Sequence, residues 1–395
     1  MNIYKLASEE ILKCVKCGAC RNACPVVREV NREHGMARGK IALSDMVLSG
    51  GTAISDRIRV PIEQCLLCRS CIDACANSVN TDSIMIVMRE LIAREKSRPL
   101  HIALTNGILA SRFSGVFFKM LSFMQPFVSH FLPVRFYPPI AKNPFIENTN
   151  EITEGHLDKR ILYYAGCLNN FIFPQISAAA FKILKNTGST LIVPKKQACC
   201  GLPHLSLGDI ETAKNLALKN ISVMESFRPD SIVVSCASCG SMLKKYYPLI
   251  FRGTPHEESA VAFSRMVTDI TEIITASPDM PLRKNNGYKT ITFHDPCHLK
   301  RGMGIFKQPR NLLTGAGYEL REMEDSDSCC GFGGTFSLKY PEISMGILSR
   351  KVSNAESTGA DVIATSCPGC IMQIMDGVRR SGSKIRIKHI LELIA

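Results

Sequence analysis

Short runs of β-branched and apolar residues punctuate the second half of the chain. Ile161–Tyr164, Thr190–Val193 and Ser231–Val234 form one set, and Thr290–Phe293, Tyr318–Arg321 and Asp361–Ala364 a second. Runs of this length read as buried strands. Between them lie stretches of helical period, among them Gln175–Asn186, Asp209–Phe227 and Pro341–Ser357. Strand and helix in alternation predict a parallel sheet covered by helices, once in each set. Upstream the period is helical alone, over Gly39–Leu48 and Ile84–Glu95. The pattern divides the chain into a helical domain (1–98), a connector (99–158) and two α/β units (159–287 and 288–395). Glu257–Thr275 reads as one amphipathic helix and Pro278–Gly287 as the loop between the units.

The connector has its own character. Phe113, Phe117, Met120, Leu121 and Met124 fall on one helical face, and phenylalanines crowd between Phe113 and Phe136. Lys119, Gln125, Pro126 and His130 interrupt the run, so no apolar stretch reaches spanning length. An amphipathic helix docked on the core or on a partner is the expectation, and an interfacial membrane contact near a quinone is the alternative. Leu132–Pro139 reads as an extended linker.

Cysteine sharpens the division. The first α/β unit carries Cys167, then Cys199-Cys200-Gly201, then Cys236-Ala-Ser-Cys239. The second repeats it as Cys297, Cys329-Cys330-Gly331 and Cys367-Pro-Gly-Cys370. Self-similarity at a fixed period marks a duplicated unit. Each cysteine group follows a predicted strand, and in parallel sheets ligands gather beyond the carboxyl ends of strands. Five thiols then converge on one pocket per unit, with the glycine after each Cys-Cys pair turning the backbone beside something bulky. Zinc takes four ligands, so five exceed its need; disulfides or a redox-active Cys-x-x-Cys leave thiols unexplained. An iron–sulfur cluster uses every thiol.

The helical domain carries Cys14-x-x-Cys17-x-x-Cys20-x-x-x-Cys24-Pro and Cys65-x-x-Cys68-x-x-Cys71-x-x-x-Cys75. Two such runs are the ligand set of two [4Fe–4S] cubanes, the fourth cysteine of each run serving the other cluster. Cys14, Cys17, Cys20 and Cys75 are expected to hold one, and Cys65, Cys68, Cys71 and Cys24 the other. Pro25 after the first run is answered by Ala76 after the second, a difference in turn rigidity rather than in ligands. The fold class is therefore α+β and multidomain: a helical ferredoxin-type domain, then two tandem α/β cysteine-rich units.

All 18 cysteines fall in these four groups. The N-terminus has no apolar signal region, so a cytoplasmic chain is expected, with peripheral attachment at the cytoplasmic face as the alternative. The formal charge is +13, but each four-thiolate cubane brings about −2. No Lys/Arg run or aromatic-basic interleaving suggests nucleic acid. Gly302-Met-Gly304 and Gly331-Phe-Gly-Gly do not complete a dinucleotide fingerprint, so a flavin is expected on another chain. His298 reads equally as a donor tuning a cluster or as a turn residue. His204 and His294 read as turn or surface residues, and Arg38 and Lys40 as solvated surface.

These motifs resemble a known group. The two C-terminal repeats are similar to the cysteine-rich CCG domains of heterodisulfide reductase and related proteins, which implies up to two further, non-cubane [4Fe–4S] clusters bound by five cysteines each. With the N-terminal two-cluster domain, and with Arg38-Gly-Lys, His294-Asp-Pro-Cys-His-Leu-Lys-Arg and Cys329-Cys-Gly-Phe-Gly-Gly-Thr-Phe, the chain resembles the iron–sulfur subunits of glycolate oxidase and kindred 2-hydroxyacid dehydrogenases. That resemblance implies a subunit passing electrons from an FAD-containing partner, which oxidises glycolate or D-lactate, to a quinone or other acceptor. Rival expectations are a disulfide reductase of the heterodisulfide type, the iron–sulfur subunit of anaerobic glycerol-3-phosphate dehydrogenase, and a zinc-bound scaffold.

Overall fold

The computed structural model describes residues 2–95, 138–277, 280–282 and 287–395. The Phe-rich stretch, most of the Pro-rich linker and part of the inter-unit loop lie outside these residues. The N-terminal domain is helical throughout its described length. Ile3–Leu12, Ala37–Leu48, Asp56–Glu63 and Thr81–Glu95 pack around Ile62 and Ile84–Met88, all fully buried.

Two parallel sheets follow. The first orders its strands β1-β3-β2-β4-β5, built from Ile152–Thr153 (β1), Leu157–Tyr164 (β2), Ser189–Ile192 (β3), Ser231–Val234 (β4) and Val267–Asp269 (β5). Only β1 runs antiparallel, against β3. The second orders them β7-β6-β8-β9, built from Thr290–Phe293 (β6), Glu319–Leu320 (β7), Val362–Thr365 (β8) and Arg386–His389 (β9). Removing β1 leaves the same order in both, so the duplication seen in the cysteines is a duplication of topology. The pairing Ile161↔Ser231 in one unit is matched by Ile291↔Val362 in the other.

Two expectations change. Glu257–Thr275 is not one helix: Glu257–Met266 ends, β5 completes the sheet edge, and Ile270–Thr275 begins behind a capping box of Asp269 and Glu272. The first sheet also starts inside the stretch read as connector, because β1 and the polar start of β2 show no strand period.

The two units share an apolar core behind their sheets, where Phe145, Tyr163 and Ile176 meet Ile291, Phe293 and Leu391. In front, the short helices Ala237–Ser241 and Cys297–Met303 cross closely. Glycines permit this: a Cβ on Gly240 would lie 2.3 Å from Met303 Sδ, and one on Gly302 2.3 Å from Ser241 Oγ.

Candidate iron–sulfur centres

Each cysteine group sits where a strand ends. In the first unit β2 leads to Cys167 on helix Gly166–Phe171, β3 to Cys199-Cys200, and β4 to Cys236, which caps helix Ala237–Ser241. In the second, β6 leads to Cys297, β7 to Cys329-Cys330, and β8 to Cys367, which caps helix Pro368–Ser381. Gly201 and Gly331 turn the backbone after each Cys-Cys pair, as expected, and do so with φ of +91° and +84°, a left-handed conformation open to glycine.

The two thiol sets open onto one cavity. Cys167, Cys200, Cys236 and Cys239 line it from one side, and Cys297, Cys329, Cys330, Cys367 and Cys370 from the other. It encloses about 970 Å³ of open space, mouth included, and its remaining walls include Leu66, Leu168, Phe332 and Arg89. Cys199 is buried and hydrogen-bonded to Cys167 and Cys200, both of which line the cavity. Cys330 and Cys370 have their sulfurs 3.5 Å apart. The units touch at a seam: Ala237 N donates to Ser366 O at 3.1 Å, and Ser238 Oγ lies 3.3 Å from both Cys367 Sγ and His298 Nδ1.

Burial and crowding decide the protonation of these thiols. Hydrogen bonds from Cys199 and Cys239 pull Cys200 down to about 6, while Cys239, bonded to Cys200 and Cys236 and buried, is pushed well up. In the second unit hydrogen bonds from Cys297 and Cys330 pull Cys329 down, and the same contacts with burial push Cys297 up. A few thiolates are therefore held by neighbours that stay protonated, because five buried negative charges repel. These thiols would hold a cationic iron core as thiolates, the form in which cysteine binds metal. Ten free, soft donors on two strand-end shelves fit such a core.

The N-terminal domain gathers its thiols across the two runs. Cys14, Cys17 and Cys20 line a pocket together with Cys75 and Cys71 from the other run, beside Gly18 and Arg38. Cys24 from the first run lies within electrostatic reach of Cys68 and Cys71. Burial, Cys329 and Cys24 push Cys68 up to about 12. Cys24 and Cys68 share an apolar cluster with Cys297 and Cys329, so the second N-terminal thiol set backs onto the second α/β unit.

Several polar residues stand elsewhere than the chain suggested. Lys40 is only 2% exposed, its Nζ donating to Gly35 O at 2.6 Å, and is not solvated surface. Arg38 spans Lys16 O and Glu33. His204 and His294 are fully buried, not surface residues: His204 sits on the short helix Leu202–Leu207 and His294 directly follows β6. His294 Nδ1 donates to Ser326 O at 3.2 Å, and burial brings its imidazole down to about 4. His298 is half-buried on the cavity wall. Other residues had no local signature. Arg89 donates to the carbonyls of Glu63, Cys65 and Ser206. Arg301, 6% exposed, joins Asp73 to Asp327. Lys351 is buried behind Cys329 and Cys330. The one available signal was position, since Lys351 falls on the apolar stripe of its helix with Ile347, Leu348 and Val352.

Fold and sites together define an iron–sulfur protein in which a dicluster ferredoxin-type domain is docked on a duplicated cysteine-rich α/β body. Family comparisons agree. The cysteine-rich domain family, CCG, matches residues 161–244 and 291–375, and the 4Fe-4S dicluster domain matches residues 10–79. The probable glycolate oxidase iron-sulfur subunit of Bacillus subtilis (strain 168) is 28% identical over 98% of this chain and 93% of its own. Lactate utilization protein A 1 of Bacillus anthracis is 31% identical over 60% of this chain and 98% of its own. The glycolate oxidase iron-sulfur subunit of Escherichia coli (strain K12) is 25% identical over 100% of this chain and 96% of its own. The chain belongs to the family of CCG-domain iron–sulfur proteins that includes the glycolate oxidase iron–sulfur subunits. Among the described residues no helix is long and apolar enough to cross a membrane.

Proposed function

We propose that the chain is the electron-carrying subunit of a 2-hydroxyacid oxidase or dehydrogenase complex. A flavoprotein partner oxidises glycolate or D-lactate, and a quinone or other acceptor drains the electrons. Bound clusters supply one-electron transfer, while hydride acceptance belongs to a flavin. Cys14, Cys17, Cys20 and Cys75 are assigned to one cubane, and Cys24, Cys65, Cys68 and Cys71 to the other. Cys167, Cys199, Cys200, Cys236 and Cys239 are assigned to the first CCG site. Cys297, Cys329, Cys330, Cys367 and Cys370 are assigned to the second. The observation that carries the reading is the continuity of these sets: Cys68 reaches Cys329, and the second CCG set faces the first across one cavity. The protein's own part is to hold thiolates, exclude water and fix the spacing.

Anaerobically prepared protein is expected to carry about 16 iron atoms per chain. Alone it will not oxidise glycolate or lactate. With an FAD-containing 2-hydroxyacid dehydrogenase as partner, it will reduce a quinone analogue, and Cys329→Ser/Cys330→Ser will slow that step while the flavin is still reduced by substrate. Zinc in place of iron, or hydroxyacid oxidation by the chain alone, refutes the proposal. Peripheral binding to anionic vesicles at low salt, lost at high salt, is the expected membrane behaviour.

The shared cavity favours one second reading, disulfide cleavage between the two CCG sites. It predicts that the chemically reduced chain cleaves a small disulfide catalytically without any partner.

A further inference from the structure

The two α/β units share strand order and cysteine pattern, yet the polar groups behind their Cys-Cys loops differ. In the first unit the loop is tied by neutral amides. Asn220, on helix Ile210–Glu225, accepts from Ala198 N at 2.8 Å and donates to Cys199 O and Tyr247 Oη, both at 3.1 Å. Gln197 accepts from Ala165 N at 3.0 Å. At the end of β2, Tyr164 donates to Ala198 O.

The second unit uses a cation at the corresponding place. Lys351, on helix Pro341–Glu356, donates its Nζ to the carbonyls of Asp325 and Ser326 in the loop leading to Cys329. It is 2% exposed, and the charges of Cys330 and Cys329 both act on it. Where the first unit has Tyr164, the second has His294, with a ring nitrogen within 4.8 Å of the Cys330 and Cys370 sulfurs. The carboxylates near Lys351 are paired with other cations: Asp325 with Arg28 at 2.5 Å, Asp327 with Lys300 at 2.6 Å, and Asp295 with Arg310 at 2.8 Å. No lysine or arginine is buried among the described residues of the first unit. Arg89, from the N-terminal domain, lines the common cavity and is held by the carbonyls of Glu63, Cys65 and Ser206.

Reducing a buried cluster adds a negative charge, and a fixed cation at short range in a poorly screened interior favours the reduced form. We propose that the second CCG site is the higher-potential member of the pair, that Lys351 sets the difference, and that this site fills with electrons before the first. Its position suits that order, because it is the unit backed by Cys24 and Cys68 of the N-terminal domain. The inference rests on both units holding clusters, as proposed above. Lys351 is a positioning residue: it touches the loop, not the donor atoms.

Potentiometric titration of the anaerobic holoprotein, followed by electron paramagnetic resonance, tests this. Two CCG signals are expected at separate midpoints, and Cys329→Ser/Cys330→Ser removes the upper one. Lys351→Met moves the upper midpoint down toward the lower and leaves the lower one in place; Lys351→Arg keeps the wild-type separation. Equal midpoints in the wild-type protein, or loss of the lower signal in the Cys329/Cys330 variant, overturn the proposal even if Lys351→Met does not fold. An unmoved upper midpoint in Lys351→Met of full iron content removes Lys351 from the role. Iron and sulfide too low for both CCG sites in the wild-type protein would instead overturn the cluster assignment beneath it.

Discussion

Gly302→Ala probes the crossing that brings the two CCG units together. Its new methyl would lie 2.3 Å from Ser241 Oγ and 2.7 Å from Ser241 Cβ, whereas ordinary contact begins at 3.4 Å. Relief needs the helices to part by roughly 1 Å, and overpacking of this kind costs about 1–3 kcal/mol. Alanine returns about 1 kcal/mol as the better helix former, so the net loss is on the order of 1 kcal/mol. Displacement matters more than stability here. Cys297 begins one helix and Cys239 lies on the other, and metal sites tolerate shifts of only about 0.2 Å. Anaerobic Gly302→Ala should therefore lose iron from the CCG sites and keep the N-terminal clusters. The visible absorbance should also decay faster at raised temperature, a rate being the proper measure where unfolding is irreversible. Ser241→Gly should restore iron in the Gly302→Ala background, because it removes both clashing atoms and a hydroxyl with no hydrogen-bond partner. Ser241→Ala should restore less, since its Cβ remains. Wild-type iron content and decay rate in Gly302→Ala, or a double variant no better than the single one, would refute the tight crossing.

Cys24→Ser is expected to perturb the cluster signal that depends on Cys65, Cys68 and Cys71, and not the one that depends on Cys14, Cys17 and Cys20; site-resolved spectroscopy decides. Burial holds His389 at about 4, and its Nδ1 accepts from Leu391 N to cap the last helix. Its folded value lies below that of the unfolded chain, so stability is full above about 6.5 and falls as pH drops toward 4, by up to about 1.4 kcal/mol per unit. His389→Asn keeps a capping acceptor that does not titrate and should flatten the fall in chemical stability between pH 7 and pH 5.5. Arg301→Gln removes the charge that joins Asp73 to Asp327; the Asp73 pair that crosses the seam is half exposed, so its loss should cost about 0–1 kcal/mol, seen as modestly faster proteolytic release of the N-terminal domain.

What the chain discloses is what its period encodes. Ser231–Val234 and Thr290–Phe293 are buried runs of strand length, and the structure has strands at those residues. The helices Ile210–Glu225 and Pro341–Glu356 likewise follow their apolar faces. The edge strands β5 and β9 escape this reading. Val267–Asp269 is short and half polar, and Arg386–His389 presents charge to solvent, as edges do. A sharper signal was present at both, since Asp269 with Glu272 and His389 with Glu392 each form a capping box that marks a new helix start. Arg89 and Arg301 were not legible, and Lys351 showed only its place on an apolar stripe, because their partners are backbone carbonyls or carboxylates distant in sequence. The burial of Lys40 was hidden for the same reason. Its acceptor, Gly35 O, belongs to a turn whose shape local period does not report.

The seam between the N-terminal domain and the second CCG unit shows which forces set the spacing along the proposed electron route. Ion pairs cross it: Arg28–Asp325 at 2.5 Å, Glu29–Arg350 at 2.8 Å and Asp73–Arg301 at 2.8 Å. At partly exposed sites each is worth about 0–1 kcal/mol, so together they fix register more than they supply adhesion. Adhesion comes from the apolar cluster between them, where Val26 and Leu66 meet Phe336 and Ile347, all nearly dry. Burying a large apolar side chain stabilises by roughly 1.5–3 kcal/mol, so four of them outweigh the charges. The same cluster contains Cys24, Cys68, Cys297 and Cys329. The residues that hold the domains together therefore also exclude water from the thiols facing each other across the seam. Loosening the contact would lengthen the gap between the thiol sets and wet it at once, which is a physical reason for an electron carrier to place its domain interface on the thiols proposed as its ligands.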